Sequence, residues 1–376
     1  MLKIDLRHLQ IASVLLETGE YKQAETITQE LLDRYEDHPE VLFFHAKCQT
    51  NPYKSIEYYQ KAISKATFSP SFHWELGLCY LRVGEYKKAW KELEWRLDLF
   101  PELKNQYNQY LICKSWHGQD LKNKKVNVVT EQGVGDNLLF LRFLPYLKAK
   151  GCHVSLSCDE KLHTLLSGQC EIDELIGNVW SEYDFQIFLL SLPYLLNIDT
   201  PPNQPYINVP ATPIDVEGYK VGLCWCGNPK QGSDHNRSMP LSLFKPLCDM
   251  PIKLFSFVIN HDKRVYSFDP VPRHLSEGRP DMKLISLPVT DWKSTAGFLK
   301  SMDLVISTDT ALLNLAGAMG IPTIAILCYN HDARYGIKDD CYLYPSMQLI
   351  RQKSFGDWDS VIEQLMKIVK KPIIIR

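Results

Sequence analysis

From the N-terminus to about Pro101 apolar residues recur at helical spacing, and beyond it short β-rich apolar runs alternate with helical stretches. The change of period is clearest in residues 126–147, VNVVTEQGVGDNLLFLRFLPYL. Residues 126–129 read as a strand, and Leu138, Leu139, Leu141, Phe143, Leu144 and Leu147 then fall at spacings of a helix packed on a sheet. Between them stands Gly133-Val134-Gly135-Asp136. Two glycines let a backbone take positive φ and approach a ligand closely, and Asp136 stands where a helix N-cap or a site carboxylate would stand. A tight βα turn with an Asp cap explains the same four residues equally well. The dinucleotide fingerprint is excluded, because its third glycine would fall at Leu138.

The helical first part repeats. Gly19-Glu20-Tyr21-Lys22-Gln23-Ala24 returns as Gly84-Glu85-Tyr86-Lys87-Lys88-Ala89, with SIEYYQKAI (residues 55–63) in the second-helix position of a unit between them. The array is similar to three tetratricopeptide units. In the third, Leu76-Gly77, Tyr80, Gly84, Tyr86, Ala89 and Pro101 occupy the small, aromatic and terminating positions of that repeat. The middle unit has a short turn, Thr50-Asn51-Pro52, without the glycine, which predicts a truncated first helix. Such an array presents a concave face to a protein or peptide, or braces a following domain. Trp90, Trp95 and Phe100 near its end would cap the last helix or dock on that domain, and docking is the expected use.

A polar stretch, residues 104–110, leads to Trp116, where an α/β series begins. Strands are expected at 126–129, 153–158 and 185–192, with a helix at 160–166; this alternation argues for a parallel sheet with helices on both faces. Six prolines between Pro193 and Pro213 mark a linker. A second series follows, with strands at 220–226, 253–259, 303–307 and 323–328 and helices at 241–248, 291–301 and 310–319. The expected division is a helical domain over 1–105, a Rossmann-like domain over 106–212 and a second over 213–376. Ligands of open parallel sheets bind beyond the carboxyl ends of the strands, so two such domains facing a cleft place the site there.

Three strand ends carry polar residues a structural strand would not need. The first has Glu131, Gln132, Gly135 and Asp136. The second follows Trp225: Gly227-Asn228-Pro229, then the loop GSDHNRS, in which Arg237 and Ser238 precede a helix. Guanidinium forks and free backbone N–H groups both favour phosphate oxygens, so Arg237 there suits a diphosphate, or is a surface charge. The third is Ser307-Thr308-Asp309-Thr310 before ALLNLAGAMG, where capping alone would also explain Asp309 and Thr310.

Composition narrows the reading. A net charge of -2, from 42 basic and 44 acidic residues, gives no general footprint for nucleic acid or an anionic membrane. The 11 cysteines form no CxxC pair, which favours thiols in a reducing compartment. Cys224 and Cys226, on one predicted strand, read as core thiols rather than a metal site. The N-terminus lacks the features of a signal peptide, and no run reaches the length of a membrane span. A soluble, cytoplasmic protein is expected.

Four stretches together, TEQGVGDNLLFLRFLPYL, VGLCWCGNP with HNRSMPL, DLVISTDTALLNLAGAMGIPTIAIL and YPSMQLIRQKSFGDWDSVI, resemble the heptosyltransferase-like glycosyltransferases of family 9. Bacterial members in which tetratricopeptide repeats precede that domain are especially similar, so the likeness spans nearly the whole chain. It implies a GT-B fold, with the acceptor in the first Rossmann-like domain and a nucleotide-diphosphate sugar in the second. It also implies inversion by direct displacement without a metal or other cofactor. Asp136 would be the general base, with Glu131, Gln132 and Gly135 on the acceptor side. Trp225, Asn228, Arg237, Ser238, Asp309, Thr310 and Asn314 would hold the donor, with Arg237 and the helix N-termini after Ser238 and Asp309 stabilising the leaving diphosphate. Two departures stand out: Asn314 replaces the family's histidine, and SFVINHDK (residues 256–263) lacks a Gln-Lys pair. The implied partners are a nucleotide sugar and a protein or glycan acceptor recruited by the repeats. The competing reading is a non-catalytic interaction protein with a degenerate GT-B domain.

Overall fold

The structure, a computed structural model, describes residues 6–103, 114–177, 182–229, 231, 234–258 and 284–374. The polar stretch 104–110, Gly232 and Ser233 of the loop before Arg237, and residues 259–263 of the segment lacking Gln-Lys lie outside them. The chain forms two compact units. One comprises Met1–Ile112 with the excursions Pro193–Pro201 and Ala333–Ile337; the other comprises Cys113–Leu192, Pro202–Asp332 and Lys338–Arg376.

The first unit is helical: α1 (Leu6–Glu17), α2 (Tyr21–Arg34), α3 (Pro39–Cys48), α4 (Pro52–Lys65), α5 (Pro70–Val83), α6 (Tyr86–Leu93) and the one-turn α7 (Arg96–Leu99). Helices α1 to α6 each pack on the next as three successive pairs. The repeated Gly-Glu-Tyr closes two of them in the same way. Gly19 and Gly84 take φ of +85° and +81°, and the N–H groups of Glu20 and Glu85 reach back to the carbonyls of Leu15 and Tyr80. The middle pair has no glycine. Asn51 caps α4 instead, its Oδ1 accepting the Tyr53 N–H at 2.9 Å ahead of Pro52, and α3 is only 10 residues long. Gly77 brings α5 against α6, since a Cβ there would lie 3.0 Å from Leu93. Phe43 of α3 stacks on Phe72 of α5 with centroids 4.3 Å apart. Trp95 and Phe100 contact His73 and Trp74 of α5, and Trp90 stacks on Tyr86, so all three find partners inside the helical unit.

The second unit holds two parallel sheets. In chain order the first uses β1 (Lys114–Ser115), β2 (Lys125–Val129), β3 (His153–Ser157), β4 (Glu174–Ile176) and β5 (Phe185–Phe188), arranged β1-β5-β2-β3-β4. Its helices are α8 (Val134–Phe140), α9 (Leu144–Lys148) and α10 (His163–Leu166), and α11 (Leu192–Leu195) follows β5. The second sheet uses β6 (Tyr219–Cys224), β7 (Ile252–Ser256), β8 (Leu284–Ser286), β9 (Leu304–Thr308), β10 (Thr323–Leu327) and β11 (Met347–Arg351), arranged β11-β10-β9-β6-β7-β8. With it come α12 (Asp234–Arg237), α13 (Trp292–Lys300), α14 (Ala311–Ala318) and α15 (Trp358–Ile374). Strands β9 and β10 are buried throughout, as central parallel strands between two helix layers should be.

Several boundaries differ from expectation for identifiable reasons. The strand predicted at 185–192 stops at Phe188, and the chain turns through a 3-10 segment into α11 before Pro193. Residues 241–249 form a 3-10 rather than an α-helix, with Pro246, which has no N–H to donate, inside it. Strand β6 ends at Cys224, so Cys226 lies beyond it, and the two thiols do not share a strand face. The later part of the proline-rich linker is held along the second sheet's helices: Tyr206 and Ile207 donate their N–H groups to Ala318, and Thr212 donates to Gly297. Strands β1, β4, β8 and β11 and helix α15 had no counterpart in the sequence reading; three of these strands have only two or three residues.

Candidate functional site

Helix α8 starts earlier than the apolar spacing predicts. Its first residue is Val134 and its N-cap is Gly133, which places Gly135 and Asp136 inside the first turn. Asp136 is therefore not the cap; its Oδ2 reaches back to accept the Gly133 N–H at 3.0 Å. The glycines do not take positive φ either. Gly133 has φ of -87°, and the left-handed residue of the turn is Gln132, at +60°, exposed to solvent. Glu131 is buried, and its N–H donates to Asn137 Oδ1 at 3.3 Å. The need for glycine at 135 is spatial. A Cβ there would lie 3.1 Å from Asn314 Nδ2 and 3.4 Å from the Cα of Ala311, so helices α8 and α14, one from each sheet, meet at this residue.

The N-terminus of α14 is the meeting point. Thr310 is its N-cap, buried, with Oγ1 3.3 Å from Ser307 Oγ and 3.8 Å from Cys224 Sγ. The N–H groups of Leu313 and Asn314 share the Thr310 carbonyl, and those ahead of them have no acceptor within the helix. Just before the cap, the Asp309 carbonyl accepts from Arg237 Nη1 at 2.7 Å. The Arg237 Nε donates to Asp234 Oδ1 at 3.0 Å and Nη2 to Gln231 Oε1, so three of the fork's five N–H groups are engaged among the described residues. Arg237 closes the four-residue α12, and with Ser238 it precedes the 3-10 helix at 241–249. Ser238 holds this corner together: its hydroxyl donates to Asp234 Oδ2 at 2.9 Å and accepts the Gly227 N–H at 3.1 Å. Gly227 lets the pair sit close, because a Cβ there would push the Asp234 carboxylate and the Arg237 guanidinium from their present places.

The remaining predicted residues take other places. Asn228 is exposed on the loop and its carbonyl accepts the Gln231 N–H. Trp225 is buried in the core with Met239 and Phe244, its indole N–H lacking an acceptor among the described residues. Asn314, 3% exposed, turns its amide inward: Oδ1 accepts from the Tyr344 hydroxyl at 3.1 Å and Nδ2 donates to the Thr310 carbonyl at 3.4 Å. Burial pushes the Cys224 thiol up, and that of Cys226 up to about 12, so both are neutral neighbours rather than nucleophiles. All ten described cysteines are free. Among the described residues no cluster of three His, Cys, Asp or Glu side chains could hold a metal ion, and no helix is long and apolar enough to cross a membrane.

Sequence reasoning missed Asp234, which fixes Arg237, and Arg142, which is buried beneath the site. A lone cation inside LLFLRFLPYL was the available signal for Arg142. A charge in an apolar helix face has to be hydrogen-bonded within the interior.

No family model matches the chain. Protein FlbA of Caulobacter vibrioides is 24% identical over 316 residues, covering 74% of this chain and 51% of that protein, so the chain spans about half the length of the curated relative it matches. A glycosyl transferase family 9 structure from Veillonella parvula superimposes with a TM-score of 0.50 at 13% identity, over 69% of this chain and 100% of that one. An ADP-heptose lps heptosyltransferase II of E. coli gives 0.48 at 14% identity, over 66% and 99%. With a helical region followed by two Rossmann-like parallel sheets, the chain has the GT-B fold after its N-terminal helices.

Proposed function

We propose that the protein is a heptosyltransferase-like glycosyltransferase that moves a sugar from a nucleotide-diphosphate donor to a protein or glycan acceptor. The observation that carries this reading is the convergence at α14: the Asp136 turn abuts its first residue, and the Arg237 fork is fixed against Asp309 just ahead of it. In this reading Asp136 takes the proton from an acceptor hydroxyl as the oxygen attacks the anomeric carbon, and the configuration inverts. The bond to the diphosphate breaks in the same step. Its developing charge is met by the Arg237 guanidinium and the N-terminus of α14, with no metal or other cofactor. Thr310 and Asp309 adjoin the same position, whereas Trp225 and Ser238 support it from behind. Residues 1–105 act as tetratricopeptide repeats that recruit the acceptor, 106–212 hold it, and 213–376 bind the donor, in the cytoplasm.

Calorimetry with ADP-, UDP-, GDP- and CDP-linked sugars tests this. One donor should bind selectively, and Arg237→Ala should weaken it by about 2 kcal/mol, the worth of a charge-assisted contact. Unchanged affinity in that variant would remove Arg237 from the site. Failure of a folded sample to bind any of the four would shift the reading to an interaction protein with a degenerate GT-B domain.

A further inference from the structure

Beneath the site lies a buried cation that the proposed chemistry does not use. Arg142 is 2% exposed, and among the described residues no carboxylate pairs with it. Its Nε donates to the Leu139 carbonyl at 2.9 Å. Its Nη1 donates to the carbonyls of Pro202 at 2.9 Å and Leu343 at 3.0 Å, and its Nη2 to the Tyr206 hydroxyl at 3.4 Å. The guanidinium is also sandwiched by rings, its carbon 5.1 Å from the Tyr206 centroid and 4.6 Å from that of Tyr344. Both phenols pass the connection on. Tyr206 donates its hydroxyl to the Leu138 carbonyl in α8 at 2.8 Å and its N–H to Ala318 at the end of α14. Tyr344 donates to Asn314 in the middle of α14, and a Cβ on Gly317 would strike its ring.

Four segments far apart in sequence are thus joined at one guanidinium: helix α8, the 202–206 linker, helix α14 and the 343–344 loop. Desolvating a guanidinium is expensive, and an apolar side chain of similar volume would fill the space. A planar fork offers fixed directions to several acceptors at once, which an apolar side chain cannot. We infer that Arg142 is a positioning residue: with Tyr206 and Tyr344 it fixes α8 against α14, and so sets the distance between Asp136 and the donor site at the N-terminus of α14. The reaction-linked part rests on the proposed transferase reading; the mechanical part does not.

The test uses the full-length chain with Tyr344→Phe, which deletes one hydroxyl, and Arg142→Lys, which keeps the charge and loses the fork. Three quantities are read: amide hydrogen exchange by peptide, affinity for ADP, UDP, GDP and CDP, and turnover of the nucleotide sugar whose diphosphate binds. Exchange within α8 and α14 should quicken by about tenfold while the helical unit is unchanged, reflecting local opening. Nucleoside-diphosphate affinity should stay within about twofold, because neither substitution touches the Arg237 contacts to Asp234, Gln231 and Asp309 or the Thr310 cap of α14. Turnover should fall by about tenfold or more, as a displacement of the base does. A merely structural role would lower affinity and turnover together, which would overturn the positioning assignment. Unchanged exchange in both helices of both folded variants would overturn it too. If the unaltered chain binds no nucleoside diphosphate, the transferase reading fails on its own, and the exchange measurement alone sustains or overturns the mechanical role.

Discussion

The helical unit and the two-sheet unit close their turns over different distances. In the helical unit Gly19 and Gly84 each end a helix with bonds that span five residues, from Glu20 to Leu15 and from Glu85 to Tyr80. In the two-sheet unit the N-terminus of α14 is held by Arg237 across 72 residues, and its neighbour α8 is held through Arg142 across 201. A locally closed turn tolerates a fault in place. A turn assembled from distant segments transmits it. Substitutions in the two units should therefore differ in reach as well as in size.

The largest effect is expected at Gly135. Gly135→Val places two methyl groups where one Cβ already meets the backbone of Ala311 and the Asn314 amide. Separating two packed helices in this way should destabilise the two-sheet unit by about 3 kcal/mol, the upper range for overpacking. Denaturant unfolding would show it. A cost below 1 kcal/mol would mean that α8 and α14 do not meet as closely as the geometry says.

Next comes Asp136→Asn, which separates structure from chemistry at the same turn. The asparagine oxygen can still accept the Gly133 N–H, so stability should stay within about 0.5 kcal/mol. Transfer should fall about a hundredfold or more with donor affinity retained, as loss of a general base does. Equal transfer by the variant would sink the assignment.

A smaller and more confined effect is expected in the helical unit. Gly84 has φ of +81° and nothing within 4 Å of where a Cβ would stand, so Gly84→Ala meets backbone strain alone. The cost should be about 1 kcal/mol, and faster amide exchange should be confined to α5 and α6. Exchange that quickened equally in α1 and α2 would contradict the local character of these turns.

The same contrast of range decides what the sequence made legible. GEYKQA and GEYKKA repeat a local solution, so the helix pairs around Gly19 and Gly84 could be read directly, as could the short middle pair from its missing glycine. The α/β order was legible too, because central strands such as β9 and β10 carry short apolar runs, Leu304-Val305-Ile306 and Ile324-Ala325-Ile326-Leu327. Element ends were less so: nothing in VGLCWC marks that β6 stops at Cys224 and that Trp225 turns into the core. At the site, sequence brought Asp136, Arg237 and Asp309 together, with local reasons that differ in part from those the structure shows. Asp136, expected as an N-cap or a site carboxylate, is an N3 acceptor; Arg237, expected before a helix, ends the short α12 and also precedes the 3-10 helix at 241–249. Gly135 was expected to take positive φ and let a ligand approach; its φ is not positive, and it clears space for another helix. Those reasons depend on partners brought in by tertiary packing, which no window of sequence contains.

The smallest effect separates the units by pH. In the helical unit His45 is buried between α2 and α3, its Nδ1 3.0 Å from Thr28 Oγ1 and its Nε2 accepting from Gln49 Nε2 at 3.0 Å. Burial pushes its pKa below the ordinary 6.5, against a weaker opposing pull from Glu25. The neutral ring is the form that fits, because the proton of an imidazolium would face the Gln49 donor. In the two-sheet unit the depressed groups are carboxylates. Asp184 accepts from the Lys125 N–H and from Lys124, and Asp291 accepts from the Ser294 N–H; both hold below the ordinary 3.8. The two cases share a sign but not a window. His45 contributes fully above about pH 6.5, and its share is lost as pH falls from there, because the unfolded chain takes up the proton first. The carboxylates contribute fully above about pH 4 and lose their share only below it. Between pH 7 and pH 5 amide protection should therefore fall in α2 and α3 while the two sheets hold, and His45→Gln, which does not titrate, should abolish that difference. Equal acid sensitivity in the variant would place the titrating group elsewhere in the helical unit.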